Sequence, residues 1–184
     1  MKRDPQIVML AAGVVDSCNQ LVISRDDEPL PNCEEATITA YQKKFKARVA
    51  GSLVILGRKA YEVFGDFLSE CSEVMVVTSR SYIEGVTVCP TLTSAVALAR
   101  LNCRDTGGVA YIIGGASSFH QTLKEQLADE IELVALYKTD LVHCDSGDKA
   151  IPGRLLERYY TRVKVAEIED PCGHTTQWVP LLPR

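Results

Sequence analysis

The sequence predicts an α/β protein: a central, mostly parallel sheet with helices on both faces and a C-terminal antiparallel hairpin. Three observations carry this expectation. Short apolar runs rich in β-branched residues recur along the chain, bounded by Gly, Pro and polar clusters. Helical stretches separate them, and strand–helix–strand alternation implies parallel pairing. The tail breaks the pattern, because RVKVAEIEDPCGHTTQWVPLL reads as two strands joined by the turn DPCG.

In order, the strand runs are IVMLAAGVV (7–15), SLVILG (52–57), EVMVVTS (73–79), VTVC (86–89), VAYIIGG (109–115), EIELVALY (131–138) and RVKVAEI (162–168). Continuous apolar runs fit strands buried on both faces. The first run starts like a secretory signal, but it is short, reaches Asp16, and fits mature structure. Helices are expected over 34–46, over 58–64 with Gly65 as the stop, over 93–101 with Thr93 or Ser94 as N-cap, and over 117–127. The last places Phe119, Leu123 and Leu127 at four-residue intervals, one apolar stripe. Tyr159 and Tyr160 precede the hairpin, and Trp178 in the final strand is expected in the core.

The 184 residues are 46% hydrophobic and 24% charged, which suggests one domain spanning 1–184, at roughly 150 residues per domain. No run reaches the roughly 18 apolar residues of a membrane span. A net charge of −4 with mixed signs argues against a phosphate-driven nucleic-acid partner. The seven cysteines are scattered with no CxxC, so neither zinc nor a disulfide framework is expected. They read as small buried hydrophobes of a reducing, cytoplasmic compartment. His143-Cys144-Asp145 has no second cluster at ligand spacing and reads as a loop, so no metal is expected.

Open sheets of this kind bind ligands at the carboxyl ends of their strands. Three runs end informatively. In IIGGASSF, Gly114 and Gly115 allow a sharp turn and close approach, and the helix that follows offers free amides to a pyrophosphate. Arg58 and Lys59 follow one strand, and Ser79 and Arg80 follow another. Three cations and a hydroxyl there suit a further phosphate, such as the 2′-phosphate that separates NADPH from NADH.

The order VILGRKAYEVFG, VVTSRS, YIIGGASSF, ADEIELVALY and GDKAIP resembles the dihydrofolate reductase family. IVMLAAGVVD resembles its first strand and HTTQWVPL its last, so the likeness runs colinearly over about 7–182. FKARVAG, before VILG, resembles some viral members. The resemblance implies an eight-stranded sheet, NADPH as cofactor, a pterin or folate-like substrate, and a cytoplasmic monomer or homodimer. It implies that Ala12 lies against the nicotinamide and that Val22 and Ile23 belong to a mobile loop over it. Arg58, Lys59, Ser79 and Arg80 would hold the adenosine phosphate end. Gly114, Gly115, Ala116 and Ser117 would hold the pyrophosphate. Ile113 would contact both ring systems, Ile38 the substrate, and Phe119 would replace the usual tyrosine beside the nicotinamide.

The substrate half departs from the family pattern. One buried carboxylate is expected near the start of the first helix. Counting forward from Pro29 points to Glu34 or Glu35, counting back from VILG points to Tyr41, and a longer connection points to Glu34. Glu34 is the expected catalytic carboxylate, with Glu35 the alternative. Leu30 stands where the family has tryptophan, and Val134 where it has threonine. Ser72 or Glu73 stands where an arginine grips the folate carboxylate. Three readings follow: a reductase of 7,8-dihydrofolate, a reductase of another pterin or of a pyrimidine such as a riboflavin precursor, or a non-catalytic protein keeping the fold.

Overall fold

The computed structural model describes residues 5–18, 20–25, 28–29, 33–104, 108–137, 146–163, 169–170 and 172–181. The chain opens with β1 (Gln6–Val15), β2 (Leu21–Arg25), β3 (Glu28–Pro29), α1 (Glu35–Val49) and β4 (Leu53–Gly57). Then come α2 (Arg58–Phe64) with a 3-10 turn (Gly65–Leu68), β5 (Glu73–Val77), β6 (Thr87–Cys89), α3 (Leu92–Cys103), β7 (Val109–Gly114) and α4 (Ala116–Lys124). It closes with β8 (Glu130–Leu136), β9 (Asp148–Ile151), α5 (Gly153–Tyr159), β10 (Tyr160–Arg162), β11 (Glu169–Asp170) and β12 (Gly173–Pro180). Two compact units form, one from Met1–Leu10 and Lys46–Glu130, the other from Ala11–Phe45 and Ile131–Arg184. β1 supplies its first half to one and its second half to the other.

In the first unit the strand order is β1-β7-β4-β5-β6, every pair parallel. Val54, Ile55, Leu56, Met75, Val76 and Ile112 have no exposed surface, as continuous apolar strands covered on both faces require. α3 buries Leu92, Ala95, Val96, Ala99 and Cys103, a helical stripe. It starts one residue earlier than expected, at Leu92. Thr91, not Thr93 or Ser94, is the N-cap, and it exchanges hydrogen bonds with Ser94 in a capping box. α4 also starts earlier, at Ala116, and stops at Lys124; Gln126 then takes a positive φ of 53°. Its stripe is still buried, with Phe119, Leu123 and Leu127 at 4%, 0% and 9% exposure.

In the second unit the order is β10-β12-β8-β1, with β12 antiparallel to β8, β10 and β11. This is the expected C-terminal hairpin, although residues 164–168 of its first run lie outside the described residues. β2 pairs antiparallel with β1, β3 and β9. Two glycines permit close backbone approach. A Cβ on Gly13 would strike the Val22 carbonyl, and one on Gly173 the Ala135 carbonyl. β2 and β9 are fastened by a bidentate pair, Arg25 Nε to Asp148 Oδ1 at 2.7 Å and Nη2 to Oδ2 at 3.0 Å.

Three further expectations change. Val22 and Ile23 lie in strand β2, not in a loop, and Val22 is fully buried against β1 and β9. α5 forms where no helix was expected. Cys18 is exposed and disulfide-bonded, whereas Cys89, Cys103 and Cys172 are the buried free thiols that were expected. Among the described residues, no helix is long and apolar enough to cross a membrane.

Candidate functional site

The first unit brings three strand ends to one edge. β4 ends at Gly57, opposite Val77 at the end of β5, and Leu56 pairs with Gly114 at the end of β7. Parallel direction puts all three carboxyl ends on the same side. Arg58 and Lys59 open α2 there, Ser79 and Arg80 follow β5, and Gly115 leads into Ala116 and Ser117 of α4. The register between β4 and β7 slips by one residue, so Ile113 is the extra residue of a bulge at this edge.

The edge suits an extended anion. Gly115 is the N-cap of α4 in extended backbone, with no side-chain cap, so the first amides of α4 keep their donors for a ligand. A Cβ on Gly115 would meet nothing within 4 Å, so space lies in front of it. Behind, the turn is tight: a Cβ on Gly114 would sit 3.3 Å from that of Ala60, and one on Gly57 3.5 Å from Ser118 Oγ. Lys59, Ser79 and Arg80 are exposed. Arg58 Nη1 bonds Glu62 Oε1 at 2.6 Å within α2. This is an exposed i,i+4 pair worth about 0.3–0.5 kcal/mol, which a phosphate can displace. Phe119 is buried one turn into α4.

The second unit holds the remaining expected positions. Glu34 and Glu35 are both exposed where α1 begins. Ile38 is partly buried on the same helix. Val134 is buried in β8 with Leu136 and Cys172, and Ala12, Cys33 and Tyr41 pack against that cluster. Burial raises the Tyr41 phenol above its ordinary value, and the neighbouring Glu132 and Cys172 raise it further. Leu30 and His143-Cys144-Asp145 lie outside the described residues.

Glu73, which stands where a cation was sought, has a structural task. Its Oε1 accepts from Thr87 Oγ1 and its Oε2 from Asn102 Nδ2, each at 2.8 Å, so it brackets β5, β6 and α3. The second unit also buries two polar groups that the motif search passed over. Glu132 is 8% exposed in the middle of β8. The Thr175 hydroxyl is buried with no hydrogen-bond partner among the described residues. The visible signal for Glu132 was a charge inside the apolar run EIELVALY; nothing marked Thr175.

This strand order, with its C-terminal antiparallel hairpin, is that of the dihydrofolate reductase fold. A solved dihydrofolate reductase from Enterococcus faecalis, complexed with NADP(H) and RAB-propyl, superposes with a TM-score of 0.67 at 18% identity. The match covers 99% of this chain and 100% of that one. The family model for dihydrofolate reductase matches residues 26–175, and the chain belongs to the dihydrofolate reductase family. No curated protein matches by sequence.

Proposed function

We propose that the chain is an NADPH-dependent reductase that converts 7,8-dihydrofolate to tetrahydrofolate. Family membership supports the reaction class. The observation that carries the cofactor is the edge of the first unit, where an uncapped helix N-terminus, open space at Gly115 and exposed cations lie on adjoining strand ends. The donor set fits a dinucleotide phosphate. The α4 amides after Gly115, with Ser117, would hold the pyrophosphate. Arg58, Lys59, Ser79 and Arg80 would hold the adenosine end and its 2′-phosphate. Ala12 would lie at the nicotinamide.

NADPH, when bound, supplies a hydride to the imine carbon, while solvent supplies the proton for the nitrogen. The protein's task is orientation and charge. Ile38 and Val134 would supply apolar surface to the ring. Exchanging the phosphate-binding cations should separate the two nicotinamide cofactors. Arg80→Ala and Lys59→Ala are expected to raise the KM for NADPH about tenfold or more each, with little change for NADH, since a charged hydrogen bond is worth about 1.5–3 kcal/mol. Equal loss for both cofactors contradicts the phosphate assignment.

A further inference from the structure

Arg58 reaches the candidate edge already engaged. Its Nη1 donates to Glu62 Oε1 at 2.6 Å, with 35% and 51% of the two side chains exposed. Local helix physics does not account for this pair. α2 has no acidic residue in its first turn and no basic residue in its last. The cation stands at the positive end of the helix dipole and the carboxylate towards the negative end, the reverse of the stabilising order. At i,i+4 spacing, an acid placed before a base is also the better arrangement. What the pair does reach is the site. Arg58 follows Gly57 at the end of β4, and Gly57 lies opposite Val77 of β5, the strand that leads to Ser79 and Arg80.

We propose that Glu62 is a specificity-determining residue: it competes for the Arg58 guanidinium and so sets how strongly the edge prefers a cofactor bearing a 2′-phosphate. This rests on the cofactor reading above. A guanidinium holds a phosphate best through two parallel N–H donors. Glu62 occupies Nη1, so a phosphate taking that fork must displace the carboxylate. A phosphate, with about two negative charges and three acceptor oxygens, can do so. The displaced Glu62 stays one helical turn from Arg58 and repels the newcomer. A ribose hydroxyl carries no charge, so it neither displaces Glu62 nor meets that repulsion. The carboxylate therefore weakens the hold on the phosphate-bearing cofactor and leaves the phosphate-free one alone. Both effects act between exposed groups, so they are modest and fall with salt.

The test titrates the full chain with NADPH, NADH and adenosine 2′,5′-bisphosphate, a fragment that carries the 2′-phosphate without the nicotinamide. Glu62→Gln keeps the shape and removes the charge. It is expected to tighten NADPH and the bisphosphate about two- to fourfold, the scale of an exposed ion pair, and to leave NADH unchanged. Glu62→Ala, tested beside it, is expected to give the same gain, and thermal unfolding verifies that each variant is folded. At about 1 M salt, where the screening length falls to about 3 Å, the gain is expected to vanish. In an Arg58→Ala chain, adding Glu62→Gln is expected to lose most of the gain, because the carboxylate acts through Arg58. NADPH binding left unchanged or weakened by Glu62→Gln, or an equal gain with Arg58 removed, overturns the inference while the cofactor reading stands. Equal affinity of the unmodified chain for NADPH and NADH instead contradicts the cofactor reading, and this inference with it.

Discussion

Asp129 shows how a single side chain can organise a strand entry. Its Oδ2 accepts from the Ile7 amide and its Oδ1 from Arg100 Nη2, each at 2.8 Å, while Arg100 Nη1 reaches the Pro5 carbonyl at 2.9 Å. The start of β1, helix α3 and the approach to β8 are pinned at one point. Both side chains keep about a third of their surface, so the charge attraction is screened and the hydrogen bonds dominate. Arg100→Ala is therefore expected to lower stability by about 1–2 kcal/mol in denaturant unfolding. Asp129→Ala should cost more, since it strands a backbone amide as well. Equal stability of all three chains contradicts the bracket. The Arg25–Asp148 pair makes a contrasting case, because Asp148 is nearly buried and the contact is a two-point fork. Arg25→Lys keeps the charge yet is expected to lose most of the benefit, as a lysine cannot match the fork.

At the scale of elements, α4 links packing to the candidate site. One side of it buries Phe119 and Leu123, and its first turn lies at the candidate edge. Leu123→Ala is expected to cost about 2–5 kcal/mol, since Leu123 has no exposed surface and the space cannot refill. Chemical denaturation measures this, and a cost under about 1 kcal/mol contradicts the packing. The long strands and α2 were legible in the sequence because continuous burial leaves a continuous apolar run, as in VILG and IIGG. β2 and β9 were not, because they mix partly buried and polar residues. α5 hid behind Pro152 and Gly153, which read as loop although Pro152 is its N-cap. The Thr91 cap was missed because a capping box is a reciprocal geometry rather than a residue type. At the candidate site, residues after parallel strand ends could be read from sequence, since topology alone gathers them on one edge. The buried Thr175 hydroxyl could not, because its setting depends on the β8–β12 register.

Across the whole molecule, several groups titrate in the same direction. Burial raises Tyr41, Cys33, Cys71, Cys89 and Cys103 above their ordinary values of 10.0 and 9.0. The folded chain therefore holds protons that the unfolded chain releases first, so stability is fully present below pH 9 and falls as pH rises above it. Unfolding free energies measured from pH 8 to about 10.5 should hold level up to about pH 9 and decline above it, and Tyr41→Phe should flatten the upper part. A flat profile contradicts the burial of these groups. The family resemblance spread its evidence unevenly over the chain. The first unit keeps the glycines and cations after its strands, while the second carries Leu30 and Val134 where the resemblance leads to tryptophan and threonine. The central claim is that this rearranged chain still reduces dihydrofolate with NADPH. The most direct measurement is the loss of NADPH absorbance when the purified chain meets 7,8-dihydrofolate, with the products quantified. One NADPH oxidised for each tetrahydrofolate formed, at a rate proportional to protein and reduced in Arg80→Ala, is the predicted result. NADPH left unconsumed by a folded chain that binds it contradicts the account.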